Sequence, residues 1–425
     1  MAVSLRGSAP KLGGVLISLT AIEKAWIPMR NKNFITLLLL VGCSAGALFW
    51  TATRVWINSR SSPVSYLPTW DATRAAAYLD GRELWWQGWA PAQKDHGTVC
   101  ISCHTVLPYA MARPALRQAV DETAMSTPER VLMDSVEKRV RSWTQMAPFY
   151  SDRDGRDKAA QSRATEAVLN AVILASYDVR QGHLRPITRT AFDEAWALQE
   201  QAGENAGGWK WQDFDLAPWE SAESGYQGAA LLAVQAENAP DRYAAEPVAV
   251  PHLEHLREYL EREYSSQPMM NQLYVLWASA RSSGLLTSAQ RKSVLVALQS
   301  LQQPDGGWAL SSLDQGHRER DSRWRWIRKQ LNIALKPPES DGCATGLVAL
   351  VLQEIGTSPQ DPMLRHGLQW LERHQDSDGS WRAESLNAKR NPQTDVGRFM
   401  TDAATGYAVM ALEKSRQQQR DAAHL

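Results

Sequence analysis

Four cysteines in 425 residues are too few to staple the chain with a disulfide framework. Two of them form a close pair, Cys100 and Cys103; Cys43 falls in an apolar run and Cys343 stands far from the rest. Charge of either sign is not in excess, since 46 basic and 46 acidic side chains cancel, and no basic block stands out. A phosphate-binding surface, and with it a nucleic-acid partner, is therefore not expected. No run of alternating apolar and polar residues announces a strand-rich core. Phenylalanine is scarce at 6 residues, whereas tryptophan reaches 18, an imbalance that has a local explanation below.

The close cysteine pair belongs to Cys100-Ile101-Ser102-Cys103-His104. At this spacing two thiols one helical turn apart can reach two vinyl groups on a porphyrin edge, and the following imidazole can turn under the iron. The reading is one covalently held haem c with His104 as proximal ligand. A Cys100/Cys103 disulfide or half of a zinc site would also use two neighbouring thiols, but neither accounts for His104, and no second cysteine pair completes a four-ligand zinc site. Met146, in a loop after a helix, is the choice for the second axial ligand; Met125, Met133 and His96 compete, while Met111 is too near His104. In the surrounding segment, Asp71 is expected to cap a helix running to Leu79. Trp85, Trp86 and Trp89 could shield a porphyrin edge. Pro108 and Pro114 are expected to interrupt the helix after the motif, and Thr127-Pro128-Glu129 to start another that ends near Gln145.

Haem is attached to such motifs outside the bacterial cytoplasm, so export is required. Residues 34–57 begin with a nearly unbroken apolar run, Phe34 to Thr53, long enough to cross a bilayer as a helix or serve as a signal anchor. Arg6, Lys11, Lys24, Arg30 and Lys32 precede it, which leaves residues 1–33 in the cytoplasm and the bulk in the periplasm, tethered to the inner membrane. Met29 is a more natural start than Met1, so the leading residues are read as a mis-assigned extension. The alternative is a lipoprotein signal, Leu40-Val41-Gly42-Cys43, with Cys43 acylated.

Tryptophan recurs at the end of a repeated phrase, Gln302-Gln303-Pro304-Asp305-Gly306-Gly307-Trp308 and Gln375-Asp376-Ser377-Asp378-Gly379-Ser380-Trp381, with a looser copy from Gln201 to Gly207-Gly208-Trp209. The Asp-Gly pair makes a tight turn after a helix, and Gln and Trp can bond and stack between helix ends. Between the turns run apolar helices, residues 164–177, 225–235, 270–280, 342–354 and 403–413, several of them apolar on nearly every face. Polar-faced helices over 289–301 and 362–373 alternate with them, as outer helices wrapped around inner ones would. Ala344-Thr345-Gly346 and Ala404-Thr405-Gly406 open two inner helices alike. This is repeat architecture.

On these phrases, residues 160–415 resemble the terpenoid cyclase and protein prenyltransferase superfamily, and the two full phrases resemble the QW repeats of squalene-hopene cyclases. The resemblance implies an all-α fold, an α/α toroid of paired helices, preceded here by the transmembrane helix and by a helical haem c segment over residues 70–150. It also implies an acid at the head of an inner helix. The cyclase Asp-x-Asp-Asp motif aligns with Glu339-Ser340-Asp341-Gly342, where only the central acid, Asp341, remains as candidate catalytic residue. Without the last Asp the tuning partner of that acid is gone, and Asp341 also suits a helix cap. The prenyltransferase zinc site matches at Asp341 and Cys343 but finds no histidine near Met400 and Thr401.

The expected activity is accordingly electron transfer or oxidation of an apolar, isoprenoid- or hopanoid-like ligand, with a redox partner protein. A squalene-hopene cyclase-like isomerase using Asp341, or a non-catalytic docking protein, are the alternatives; an oxidoreductase is favoured because the acid motif is incomplete.

Overall fold

Local signals start most of the helices. In the computed structural model, which describes residues 70–314 and 338–423, the chain divides into two units, Met1–Ser65 and Tyr66–Leu425, and every described residue lies in the second. The expected cytoplasmic segment, the apolar anchor and Cys43 lie outside the described residues. No helix among the described residues is long and apolar enough to cross a membrane.

The chain is mostly helical, with thirteen helices described. They are α1 (Ala72–Gly88), α2 (Val106–Ala119), α3 (Thr127–Arg141), α4 (Lys158–Gln181), α5 (Pro186–Ala197), α6 (Ser224–Asn238) and α7 (Val250–Glu263). After them come α8 (Met269–Ala278), α9 (Ser288–Leu301), the single turn α10 (Leu310–Leu313), α11 (Gly342–Glu354), α12 (Pro362–Arg373) and α13 (Phe399–Ala423). Two-residue strands β1 (Gln93–Lys94) and β2 (Thr98–Val99) pair antiparallel just ahead of Cys100.

Capping boxes at Ser126/Glu129 and Thr287/Gln290 satisfy the first free N–H groups of α3 and α9, and Asp361 with Pro362 opens α12. Asp71 caps α1 as expected, through the Arg74 N–H, but the helix continues past Leu79 to Gly88. Neither proline interrupts α2: Pro108 lies in its first turn, where no intrahelical N–H partner is needed, and Pro114 is accommodated inside. The helix from Thr127 ends at Arg141, and a separate 3-10 turn covers Trp143–Gln145.

The apolar helices form the inner layer. Among the described residues α2, α4, α6, α8, α11 and α13 each pack on the next, and α13 packs back on α2, closing a ring; α1, α3, α5, α7, α9 and α12 lie outside it. The inner neighbours α11 and α13 run parallel. A Cβ built on Gly342 would lie 3.3 Å from the Ala404 Cβ, and one on Gly346 would lie 2.6 Å from the Ala408 nitrogen, so both helices advance together. Gly406 is as tightly placed, since a Cβ built on it would lie 2.6 Å from the Pro108 Cβ. Small residues at these points let inner backbones approach closely enough to close the ring.

The tryptophan phrases are the joints of this ring. Gln302 Nε2 donates to Gly306 O at 2.8 Å and to Met363 O at 2.9 Å, thereby tying its own turn to the start of the next outer helix. Gln375 does the same with Gly379 O and Asp71 O, both at 3.0 Å. The indoles of Trp308 and Trp381 each donate to a carbonyl of the preceding outer helix, Leu298 and Leu371, at 2.8 Å. Gly306 and Gly379, at φ 95° and 93°, lie against His366 O and Arg74 O, the carbonyls three residues beyond those the glutamines hold. Because Gln375 grips Asp71, α1 stands in the place of the next outer helix. Residues 70–150 thus supply an inner helix and two outer ones.

The third copy is real but begins elsewhere. Gln199, not Gln201, makes the paired bonds, to Gly207 O at 2.9 Å and His252 O at 3.1 Å, and Trp209 donates to Ala195 O at 2.7 Å. A longer turn separates Gln199 from its glycine, which hid the register. Gln201 is exposed and only donates to Gln199 O. Removing a buried amide that serves two carbonyls costs about 2 kcal/mol, against about 0.5 kcal/mol or less for an exposed one. Gln199→Ala should therefore lower the thermal unfolding midpoint clearly and Gln201→Ala barely; equal losses would return the motif to Gln201.

Candidate functional site

The Cys100–His104 turn sits at the head of the inner helix α2. Ser102, between the two cysteines, caps that helix: its hydroxyl accepts from Thr105 N at 3.2 Å and Val106 N at 3.1 Å. The approach to the turn is fixed by β1 and β2, by Cys100 N donating to Ala92 O at 2.8 Å, and by the Trp86 indole donating to Cys100 O at 2.7 Å. Cys100, Cys103 and His104 are all buried, and the two thiols are free. Burial pushes the Cys100 thiol up to about 11 and raises that of Cys103 further. It also drives the His104 imidazole well below its ordinary value, which leaves the ring neutral.

Aromatic rings enclose the imidazole. Phe399, the first residue of α13, stacks on it at 3.8 Å between centroids, Trp86 meets it edge-on at 5.3 Å, and Trp219 tilts against it at 6.3 Å. Trp86 is fully buried, while Trp85 and Trp89, stacked at 5.1 Å, reach partly to the surface.

Polar support comes from one buried carboxylate. Asp402 Oδ2 accepts from the Thr105 hydroxyl at 2.7 Å, and Oδ1 accepts from Arg82 Nε at 2.7 Å and the Tyr78 hydroxyl at 2.9 Å. Arg82 reaches on to Asp395 and lies over the Trp85 ring at 4.5 Å. Burial raises the Asp402 carboxyl, with Arg82, Thr105 and Tyr78 opposing. His104 Nδ1 lies 2.9 Å from the Thr105 hydroxyl. Neighbouring Glu83, wholly buried in α1, is pushed up to about 8 by desolvation and is thus held protonated at neutral pH.

Met146 is buried at the end of the Trp143–Gln145 turn. Its segment is tied to the loop before the cysteine motif, because Ala147 N donates to Asp95 Oδ2 at 3.0 Å and Arg139 bridges Ala147 O and the Thr98 hydroxyl. Met111 and Met133 are buried, Met125 is half-buried, and His96 is exposed on a turn beside Asp95.

Asp341 stands apart from this cluster, at the head of α11. Oδ1 accepts from Cys343 N and Ala344 N at 2.9 Å each, and Oδ2 accepts from Leu310 N at 2.5 Å. Desolvation pushes its carboxyl up to about 7 against these three donors. Oδ1 thus caps α11, while Oδ2 ties the turn α10 to it. Cys343 is fully buried beneath it, and the hydroxyls of Tyr274 on α8 and Tyr407 on α13 meet at 2.5 Å across the ring interior. Among the described residues no group of three or more His, Cys, Asp or Glu side chains could hold a metal ion.

The structure places Cys100, Cys103 and His104 in one buried turn and Asp341 on the cap of α11, and sequence reasoning missed Thr105, Asp402, Arg82 and Phe399, which surround that turn. The available signal was a charged pair, Arg82 and Glu83, inside a helix rich in apolar residues, and an acid, Asp402, opening an otherwise apolar inner helix.

Residues 342–425 match the squalene-hopene cyclase C-terminal domain, a stretch that takes in α11, α12 and α13. No curated protein matches the chain. The match and the helical ring together support a terpenoid cyclase-like fold.

Proposed function

We propose that the chain is a membrane-tethered periplasmic c-type haem protein that uses a cyclase-like ring of helices to hold one covalent haem at the heads of its inner helices. Its activity would be electron transfer to a redox partner protein, or oxidation of an apolar, isoprenoid- or hopanoid-like ligand. The observation that carries this reading is the donor set: two free thiols one turn apart, followed by a buried, neutral imidazole that spends one nitrogen on Thr105. Cys100 and Cys103 would form the thioether links, and His104 and Met146 would be the residues that hold the iron. The bound group would supply one-electron chemistry. Trp86 and Phe399 exclude water from the imidazole. Asp402 and Arg82 hold the turn against the last inner helix.

The test is to express the exported chain with a haem c maturation system and record its mass and pyridine haemochrome spectrum. The proposal expects a haem-type spectrum with the added mass of one porphyrin, and no covalent haem when both Cys100 and Cys103 are replaced by Ala. Colourless wild-type protein without added mass would overturn it.

A second reading, a squalene-hopene cyclase-like isomerase with Asp341 as acid, is favoured by the match over residues 342–425. Against it, the Asp341 oxygens are committed to three backbone N–H groups, and the neighbouring Gly342 supplies no second acid. Our reading expects squalene to go unconverted. Squalene turnover that Asp341→Asn abolishes, with folding intact, would establish the isomerase instead.

A further inference from the structure

Thr105 occupies the N-cap position of α2, yet its side chain makes no capping bond. Ser102 does that work, which releases the Thr105 hydroxyl for two other partners. One is Asp402, buried and acceptor-only when ionised, at 2.7 Å. The other is His104 Nδ1 at 2.9 Å. A hydroxyl carries a single hydrogen. With that hydrogen committed to the carboxylate, the oxygen can only accept from the imidazole. We propose that Thr105 is a positioning residue, which forces the His104 ring into the tautomer with hydrogen on Nδ1 and a lone pair on Nε2, the form able to bind a metal centre through Nε2.

The purpose of this arrangement rests on the haem reading above; the tautomer itself does not. The imidazole has no other hydrogen-bond partner among the described residues, so Thr105 alone selects the nitrogen that stays free. Phe399, stacked on one face of the ring, fixes its plane, and Trp86 stands edge-on to it. Through Thr105 the Asp402 carboxylate also draws on the Nδ1 hydrogen, which makes Nε2 a better electron donor. Asp402 keeps Arg82 and Tyr78 as partners when Thr105 is changed, so the variant retains the buried ion pair.

Two measurements test the inference. In the full chain produced without haem, labelled with nitrogen-15 at histidine and assigned by loss of the signal in His104→Gln, proton–nitrogen correlations should report the Nδ1-protonated ring. Thr105→Val should shift it toward the other tautomer and Thr105→Ser should leave it in place. In the matured protein, Thr105→Val should keep the thioether mass but raise the reduction midpoint, and Thr105→Ser should restore it. A wild-type ring protonated on Nε2, or a tautomer or midpoint indifferent to Thr105→Val, would overturn the inference. Wild-type protein that carries no haem but shows the Thr105-dependent tautomer would sink the haem reading and leave the role of Thr105 standing.

Discussion

A buried carboxylate on the last described helix that bonds to the first two described helices is the constraint around which the described fold is arranged. Asp402, 1% exposed, lies in the first turns of the last inner helix and accepts from Tyr78 and Arg82 of the first outer helix and from Thr105 at the head of the first inner one. An ion pair this deep is a poor source of net stability, because desolvation consumes most of the Coulomb gain. Leaving either partner alone is far more costly, so the pair specifies one arrangement of its neighbours. Around it Gln375 grips Asp71, and Gly406 admits Pro108, which together bring residues 71–108 into the ring with residues 375–408.

This closure changes what the cysteine turn means physically. His104 belongs to the head of an inner helix and shares its surroundings with Phe399 and Asp402 from the C-terminal repeat, the same stretch that resembles the squalene-hopene cyclase C-terminal domain. The acid that such a resemblance would nominate, Asp341, heads another inner helix, α11, where one oxygen caps that helix and the other holds Leu310 N. Two inner helix heads therefore carry different chemistry: one holds a carboxylate committed to backbone, the other a neutral imidazole with one nitrogen left over.

Much of this was legible in the sequence, and the boundary of legibility is physical. Apolar helices such as Gly342–Glu354 declare themselves because every face is buried, and the glutamine–glycine–tryptophan turns do so because a positive φ and a close carbonyl admit little but glycine. The Cys100–His104 turn was equally visible as a local motif. What escaped was whatever depends on distant partners. The Thr105–Asp402 bond spans 297 positions and the Arg82–Asp402 pair 320, so no local pattern announces either. The third repeat was placed on Gln201 because spacing alone cannot tell an exposed amide from the buried one two residues earlier. Pro108 and Pro114 suggested a broken helix where first-turn placement and tertiary packing allow an unbroken one.

The central claim is that residues 70–150 are part of the ring, not an appendage to it. Expression of residues 151–425 alone measures this most directly, by following thermal unfolding with circular dichroism. The account predicts no cooperative transition, because that fragment lacks Asp71, Arg82, Thr105 and the inner helix that completes the circle. A fragment that unfolds in one sharp transition near the midpoint of the full chain would contradict it.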